Sequence, residues 1–248
     1  MSGQSATSVD PAELAKFEAM AADWWDADGP FRPLHRMNAV RLDYLTRQIA
    51  AEHGRDLTRR RPFEGLSILD LGCGGGLVSE PLARLGADVT GVDAGGDNVA
   101  VAAAHARAAG LTIDYRPVPA ETLVAEGATF DAVVSMEVIE HVADPAAFLT
   151  LCHALLRPGA PLVLSTLNRT PTSFAAAIVG AEWLLRWLPR GTHNWGRFVT
   201  PAEMETMATA AGLDLIDRTG MIYHPLRDDW RLGDDLSVNY AATAIRRG

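Results

Sequence analysis

A chain of 248 residues, 48% of them hydrophobic, can bury the core of one α/β domain with an extension. Its net charge of −9 excludes a general nucleic-acid-binding face, and two cysteines, Cys73 and Cys152, are too few for a disulfide framework and lack metal-ligand spacing. No uncharged run is long enough to span a bilayer, Met1 to Asp10 has neither signal nor transit character, and no fixed-period repeat is present. A cytoplasmic protein is expected.

Residues 1–10 carry no periodic pattern. Asp10-Pro11 is a helix-start signal, a capping carboxylate followed by Pro at the first helical position. Leu14, Phe17 and Met20-Ala21 then fall on one face, and the segment runs on to Trp24-Trp25-Asp26. Gly29-Pro-Phe-Arg-Pro33 interrupts regular structure, and a second helix is predicted from Ala39 to about His53. A basic linker, Arg55 to Arg61, follows. Residues 1–62 therefore read as a helical cap on a domain spanning 63–248. Trp24 and Trp25 read first as core aromatics. Arg41 is either a solvated charge or a bidentate partner for a carboxylate, a role that suits a planar guanidinium.

The apolar run Ile68 to Leu71 reads as a buried strand running straight into glycines, and Leu77 to Leu85 as a helix stopped by Gly86. Strand, glycine turn and helix in that order form the first unit of a nucleotide-binding α/β fold. The dinucleotide fingerprint Gly-x-Gly-x-x-Gly/Ala fails, because counting from Gly72 its last position falls on Leu77. What stands there is Asp70-x-Gly72-x-Gly74-x-Gly76. This pattern resembles motif I of class I S-adenosylmethionine-dependent methyltransferases. A second strand, Gly86 to Asp93, ends in an acid about 20 residues past the turn, where a ribose-binding carboxylate belongs.

Further along, Asp97 to Ala109 is an Ala-rich helix and Thr112 to Tyr115 a third strand. In the Pro119-Ala-Glu121 turn, Pro119 stands where such folds often place an acid against the adenine, and Glu121 is the nearest carboxylate. Phe130 to Ser135 is a fourth strand. It delivers Met136-Glu-Val-Ile-Glu-His-Val142 to the C-terminal edge, where open α/β sheets bind ligands. Asp144-Pro145 starts another helix, Pro161 to Leu167 is strand five, and Leu213 to Ile222 and Ser237 to Ile245 are expected to close the sheet as an antiparallel pair.

Several segments narrow the resemblance: Lys16-Phe-Glu-Ala with Trp24-Trp-Asp, Phe31-Arg-Pro-Leu-His-Arg36, Ser165-Thr-Leu-Asn-Arg169, Gly180-Ala-Glu182, Gly191-Thr-His193 and Val238-Asn-Tyr240. With Leu69-Asp-Leu-Gly-Cys-Gly-Gly-Gly76 they resemble the ubiquinone biosynthesis O-methyltransferases over nearly the whole chain beyond its first ten residues. The resemblance implies an α/β class I methyltransferase (Rossmann-like) fold, a mostly parallel seven-stranded sheet with helices on both faces. It implies S-adenosyl-L-methionine as donor, contacted by Arg41, Gly72, Asp93 and Met136, with Asp70 and Gly74 in the same motif. It also implies methylation of a catechol-like hydroxyl on polyprenylated ubiquinone precursors, and contact with other quinone-biosynthesis proteins. A methyltransferase for a soluble metabolite and a non-catalytic donor-binding protein are the rival readings.

The acceptor is a phenol, with a reference pKa of about 10 by analogy with Tyr, so a base or a metal must activate it. Glu137, Glu140 and His141 stand at i, i+3 and i+4 and share a face if helical. They are candidate ligands for Mg2+ chelated by both catechol oxygens. Alternatively His141 packs or is itself the base, with Glu137 and His193 as further catalytic candidates. Finally, the connection 168–200 is long. Phe174 and Ile178, Trp183 and Trp187, Leu184 and Leu188 repeat at i, i+4, and Arg169, Arg186, Arg190 and Arg197 oppose only Glu182. A Trp-bearing, locally basic amphipathic segment is expected either to lie on anionic membrane lipid, making the protein peripheral, or to serve as a lid.

Overall fold

The computed structural model describes residues 8–175, 194–225 and 227–248. Helix α1 (Pro11–Glu18) starts where the sequence signals it, with Asp10 accepting a hydrogen bond from the Ala12 N–H. It ends earlier than the apolar pattern suggests, and a 3-10 turn (Ala21–Asp23) carries the chain into the tryptophans. Helix α2 (Arg32–Glu52) begins seven residues before the expected Ala39, because Pro33 sits in its first turn, where a missing N–H costs nothing.

Strands β1 (Ser67–Leu71), β2 (Asp88–Val92), β3 (Asp114–Arg116), β4 (Ala132–Met136) and β5 (Pro161–Leu167) are parallel. Between them run α3 (Ser79–Arg84), α4 (Gly96–Ala108), α5 (Ala120–Ala125) and α6 (Pro145–Leu155). After β5 come the single turn α7 (Pro171–Ser173), α8 (Pro201–Ala210), β6 (Leu213–His224), β7 (Asp229–Gly233) and β8 (Asn239–Arg246). The sheet order is β3-β2-β1-β4-β5-β8-β6-β7. As expected, β6 and β8 pair antiparallel, and β8 enters beside β5 with Pro161 opposite Ile245 and Leu167 opposite Asn239. The sheet has eight strands rather than seven. The turn-rich stretch after β6 folds back as an edge hairpin, with Tyr223 opposite Trp230.

Parity along the strands builds two core layers. Leu69, Leu71, Val133, Leu162 and Leu164 join the cluster under α5, α6 and α8. Ile68, Ala132, Val134 and Val163 face the opposite cluster, built with Met37, Tyr44, Leu45 and Ile49 of α2 and Leu82 of α3. Strands β4 and β5 are buried along their whole length, as central parallel strands must be when helices cover both faces. Strand order reverses between β1 and β4, so the crevice at their C-terminal ends is the switch point where such sheets take ligands.

Candidate active site

The glycine turn leaves β1 with Gly72 at φ 79 and Gly74 at φ 50, conformations that only glycine adopts without strain. Space is closed as well. A methyl at Gly72 would stand 2.5 Å from Val138 Cγ2, and one at Gly74 would stand 2.4 Å from the Trp24 indole. The Trp24 Nε1–H donates to Asn98 Oδ1 at 2.9 Å, and its ring stacks on Phe31 at 3.8 Å. Trp25 donates to the Gly75 carbonyl at 2.9 Å and stacks on His105 at 3.4 Å. The tryptophan pair is thus both core and clamp, holding the turn from above.

At the end of β2, Asp93 accepts hydrogen bonds from the N–H of Gly95 (2.7 Å) and of Gly74 (3.1 Å). Burial pushes its carboxyl above the ordinary range, and these backbone donors pull the other way. Asp70 has a different place from the one expected of a donor contact. It lies under the turn, buried, accepting from Ser79 Oγ at 2.5 Å, and burial raises its carboxyl to about 6. It ties β1 to the first turn of α3.

Beyond β4, Met136 is followed by Glu137 at φ 53, a left-handed conformation that a non-glycine residue holds only under constraint. The constraint is visible. The Glu137 carboxylate accepts from Arg41 Nη1 and from Ser165 Oγ, both at 2.6 Å, and Arg41 donates also to Asn38 Oδ1. The carboxylate that the Arg41 side chain pairs with is therefore one of the chain's own, and removing either partner would leave a buried charge. Arg41 Nε is buried and has no hydrogen-bond partner among the described residues.

The segment Ile139–His141 is a single 3-10 turn rather than an α-helix, and Glu137 lies outside it in a left-handed conformation. Each goes to a different element. Glu137 turns to α2, buried Glu140 accepts from Thr166 Oγ1 at 2.8 Å, and His141 Nδ1 meets Glu13 Oε2 of α1 at 2.9 Å. Burial raises the Glu140 carboxyl, favouring its neutral form. Among the described residues no three His, Cys, Asp or Glu side chains are grouped to hold a metal ion. The candidate Mg2+ trio is not gathered as a ligand set here, each member being hydrogen-bonded to a different element.

Helix α1 has no buried side chain and is held over the site by polar latches. The Ser8 N–H donates to Glu121, and the Ala143 N–H donates to the Ser8 carbonyl. Asp10 pairs with Arg197 at 2.7 Å, and Phe17 meets the His141 ring edge-on at 5.1 Å. Glu121, the sequence candidate for an adenine contact, is spent on Ser8. The cavity enclosed is lined by Gly72, Gly74 and Asp93 from the turns and by Met136, Glu137 and His141 from the end of β4. Glu13, Phe17 and Trp24 close it from the N-terminal side.

This cavity fits the expected donor. Two turn glycines line it, an acid stands at the end of β2, and Met136 offers a soft apolar wall. Of the predicted residues, Gly72, Gly74, Asp93, Met136, Glu137 and His141 come together on it, while Asp70, Arg41 and Glu140 do not line it and Glu140 borders a second cavity. His193 and most of the amphipathic segment lie outside the described residues. The ends of that connection are pinned: Arg169 donates to the Phe198 carbonyl at 3.0 Å, and Trp195 Nε1 donates to the Thr170 carbonyl at 2.9 Å. Sequence reasoning missed Glu13, Asn98 and Ser165. Glu13 is one helical turn from Phe17, and only that shared face could have flagged it.

A methyltransferase-domain family model matches residues 42–218. Over 244 residues the chain is 61% identical to the ubiquinone biosynthesis O-methyltransferase of Cereibacter sphaeroides, covering 98% of this chain and 99% of that one. It is also 61% identical over 240 residues to the protein of the same name from Dinoroseobacter shibae, with 96% and 97% covered. The fold is similar to that of an N-methyltransferase from Bradyrhizobium japonicum solved with S-adenosyl-L-homocysteine, at a TM-score of 0.62 and 17% identity over 95% of this chain and 99% of that one. With a cavity at the switch point of a class I methyltransferase sheet, and relatives of one name matching nearly the whole chain, one assignment remains: the chain belongs to the family of ubiquinone biosynthesis O-methyltransferases.

Proposed function

We propose that this S-adenosylmethionine-dependent O-methyltransferase methylates a catechol-like hydroxyl on polyprenylated intermediates of ubiquinone biosynthesis, namely 3-demethylubiquinol and the earlier polyprenyl catechol. The observation that carries the reading is the presence of His141 on the same cavity as Met136, Gly72 and Asp93. When bound, the donor supplies a methyl group already activated by a positive sulfur. What remains for the chain is alignment of the acceptor oxygen and removal of its proton.

Gly72, Gly74 and Asp93 hold the donor, and Met136 and Val138 wall it. His141 takes the phenolic proton as the oxygen attacks. Glu13 is held down to about 2, chiefly by its hydrogen bond with His141, and so is ionised at neutral pH. A carboxylate only accepts, so His141 Nδ1 must donate, and in the neutral ring Nε2 carries the lone pair. No described residue occupies Nε2 with a hydrogen bond. The Arg41–Glu137–Ser165 network fixes the backbone at the end of β4 and with it the entry to the turn that bears His141.

Residues 168–200 are further proposed to rest on the membrane that holds the prenyl tail; among the described residues, no helix is long and apolar enough to cross it. The test is a turnover assay with the methyl donor and a prenylated catechol. Formation of the monomethyl ether supports the reading. Equal or faster turnover of the same catechol without its tail would favour a soluble acceptor, and absence of methylation would overturn the assignment.

A further inference from the structure

We propose that Glu13 is the positioning residue of the base, so that the catalytic imidazole is completed by the N-terminal helix and not by the methyltransferase sheet. The idea rests on the reading of His141 as the base.

The geometry is specific. Glu13 Oε2 stands 2.9 Å from His141 Nδ1, with side chains only 13% and 16% exposed. Its other oxygen accepts from Lys16 Nζ at 2.7 Å, one turn along the same helix. Phe17, at the next turn position, abuts the imidazole edge-on at 85°. One exposed helix thus supplies a carboxylate that selects the tautomer, a cation that holds the carboxylate, and a ring that limits imidazole rotation. Two further carboxyls lie nearby on the sheet side, and neither is hydrogen-bonded to His141. Glu140 accepts from Thr166 through one oxygen, its other oxygen has no partner among the described residues, and burial raises its carboxyl. Glu137 is occupied by Arg41 and Ser165.

The consequence is a coupling. No side chain of helix α1 is fully buried, yet it lines the cavity with Glu13, Leu14 and Phe17. Orientation of His141 depends on α1, so an enzyme with α1 undocked holds a base with no fixed tautomer. A helix that served only as a cover would affect donor retention. One that orients the base affects the rate of transfer at unchanged donor affinity.

Glu13→Gln, His141→Asn and the double variant separate these roles. Single-turnover methyl transfer to a short-prenyl catechol gives the rate, calorimetry with S-adenosylhomocysteine gives donor affinity, and thermal unfolding checks the fold. A positioned base supplies about 10²–10⁴-fold, and Glu13→Gln is expected to lose roughly 10- to 100-fold of that in rate, with donor Kd and acceptor KM within about twofold. In the His141→Asn background the same substitution is expected to change the rate less than about twofold, since a group acting through His141 has nothing left to orient. An unchanged rate in Glu13→Gln, or a weaker donor Kd alone, with His141→Asn inactive, would overturn the role of Glu13 and leave His141 as base. Near-normal transfer by His141→Asn would overturn the base itself.

Discussion

Gly72→Ala probes how tightly the donor turn is sealed. Gly72 sits at φ 79, in the left-handed region, where an L side chain costs roughly 1–2 kcal/mol. The added methyl would also stand 2.5 Å from Val138 Cγ2 and 3.1 Å from Cγ1. Ordinary carbon contacts lie at about 3.5–4.0 Å, so the nearer overlap is roughly 1 Å. Val138 cannot rotate away freely, being β-branched and packed against the core layer under α5 and α6. Overpacking of this kind adds roughly 1–3 kcal/mol, for a total of about 2–5 kcal/mol. The two parts separate in a double-mutant cycle. With Val138→Ala already present, Gly72→Ala should cost only the backbone part, leaving a coupling of roughly 1–3 kcal/mol. Urea unfolding of the four proteins, followed by circular dichroism and tryptophan fluorescence, measures it. A coupling of zero, or a Gly72→Ala protein as stable as its parent, would refute the reasoning.

Asp93→Ala is expected to weaken donor binding by about 1.5–3 kcal/mol, the scale of hydrogen bonds to a charged group, and calorimetry with a folded variant measures this. Unchanged affinity would remove Asp93 from the donor site. Burial raises Asp70 from 3.8 to about 6, so the folded protein holds this proton more tightly than the unfolded chain. Its contribution to stability is therefore full below about pH 4 and declines as pH rises through 6, by roughly 3 kcal/mol at most. Asp70→Asn, which keeps an acceptor for Ser79, should flatten the stability profile across that window, and an unaltered slope in chemical denaturation would contradict it. Wild-type protein is expected to co-sediment weakly with anionic liposomes at low salt and to be released as salt screens the contact. Trp183→Glu with Trp187→Glu should abolish this while sparing donor binding, and absence of wild-type co-sedimentation would leave the segment as a lid.

The half of the site proposed to take the donor is local in the chain, and the sequence carries it. A strand ending in Asp70 and Gly72, glycines at fixed spacing, and an acid closing the next strand are features of one βαβ unit, whose geometry follows from backbone sterics and strand order. The other half is made by contacts that no short-range pattern encodes. Glu13 and His141 are 128 residues apart, Arg41 and Glu137 are 96 apart, and Trp25 and Gly75 are 50 apart. Periodicity identifies the two N-terminal helices but not which charges they bring to the sheet edge. The metal trio shows the same limit in reverse. Its spacing is right for an α-helix, but the chain leaves β4 through a left-handed Glu137 and a single 3-10 turn, and each side chain takes a different hydrogen-bond partner. Asp70 and Arg41 stand out in the sequence as unusual charges. Only the tertiary structure decides what they touch, because a buried charge takes whichever donor or counter-ion packing sets beside it: Ser79 for one, Glu137 for the other.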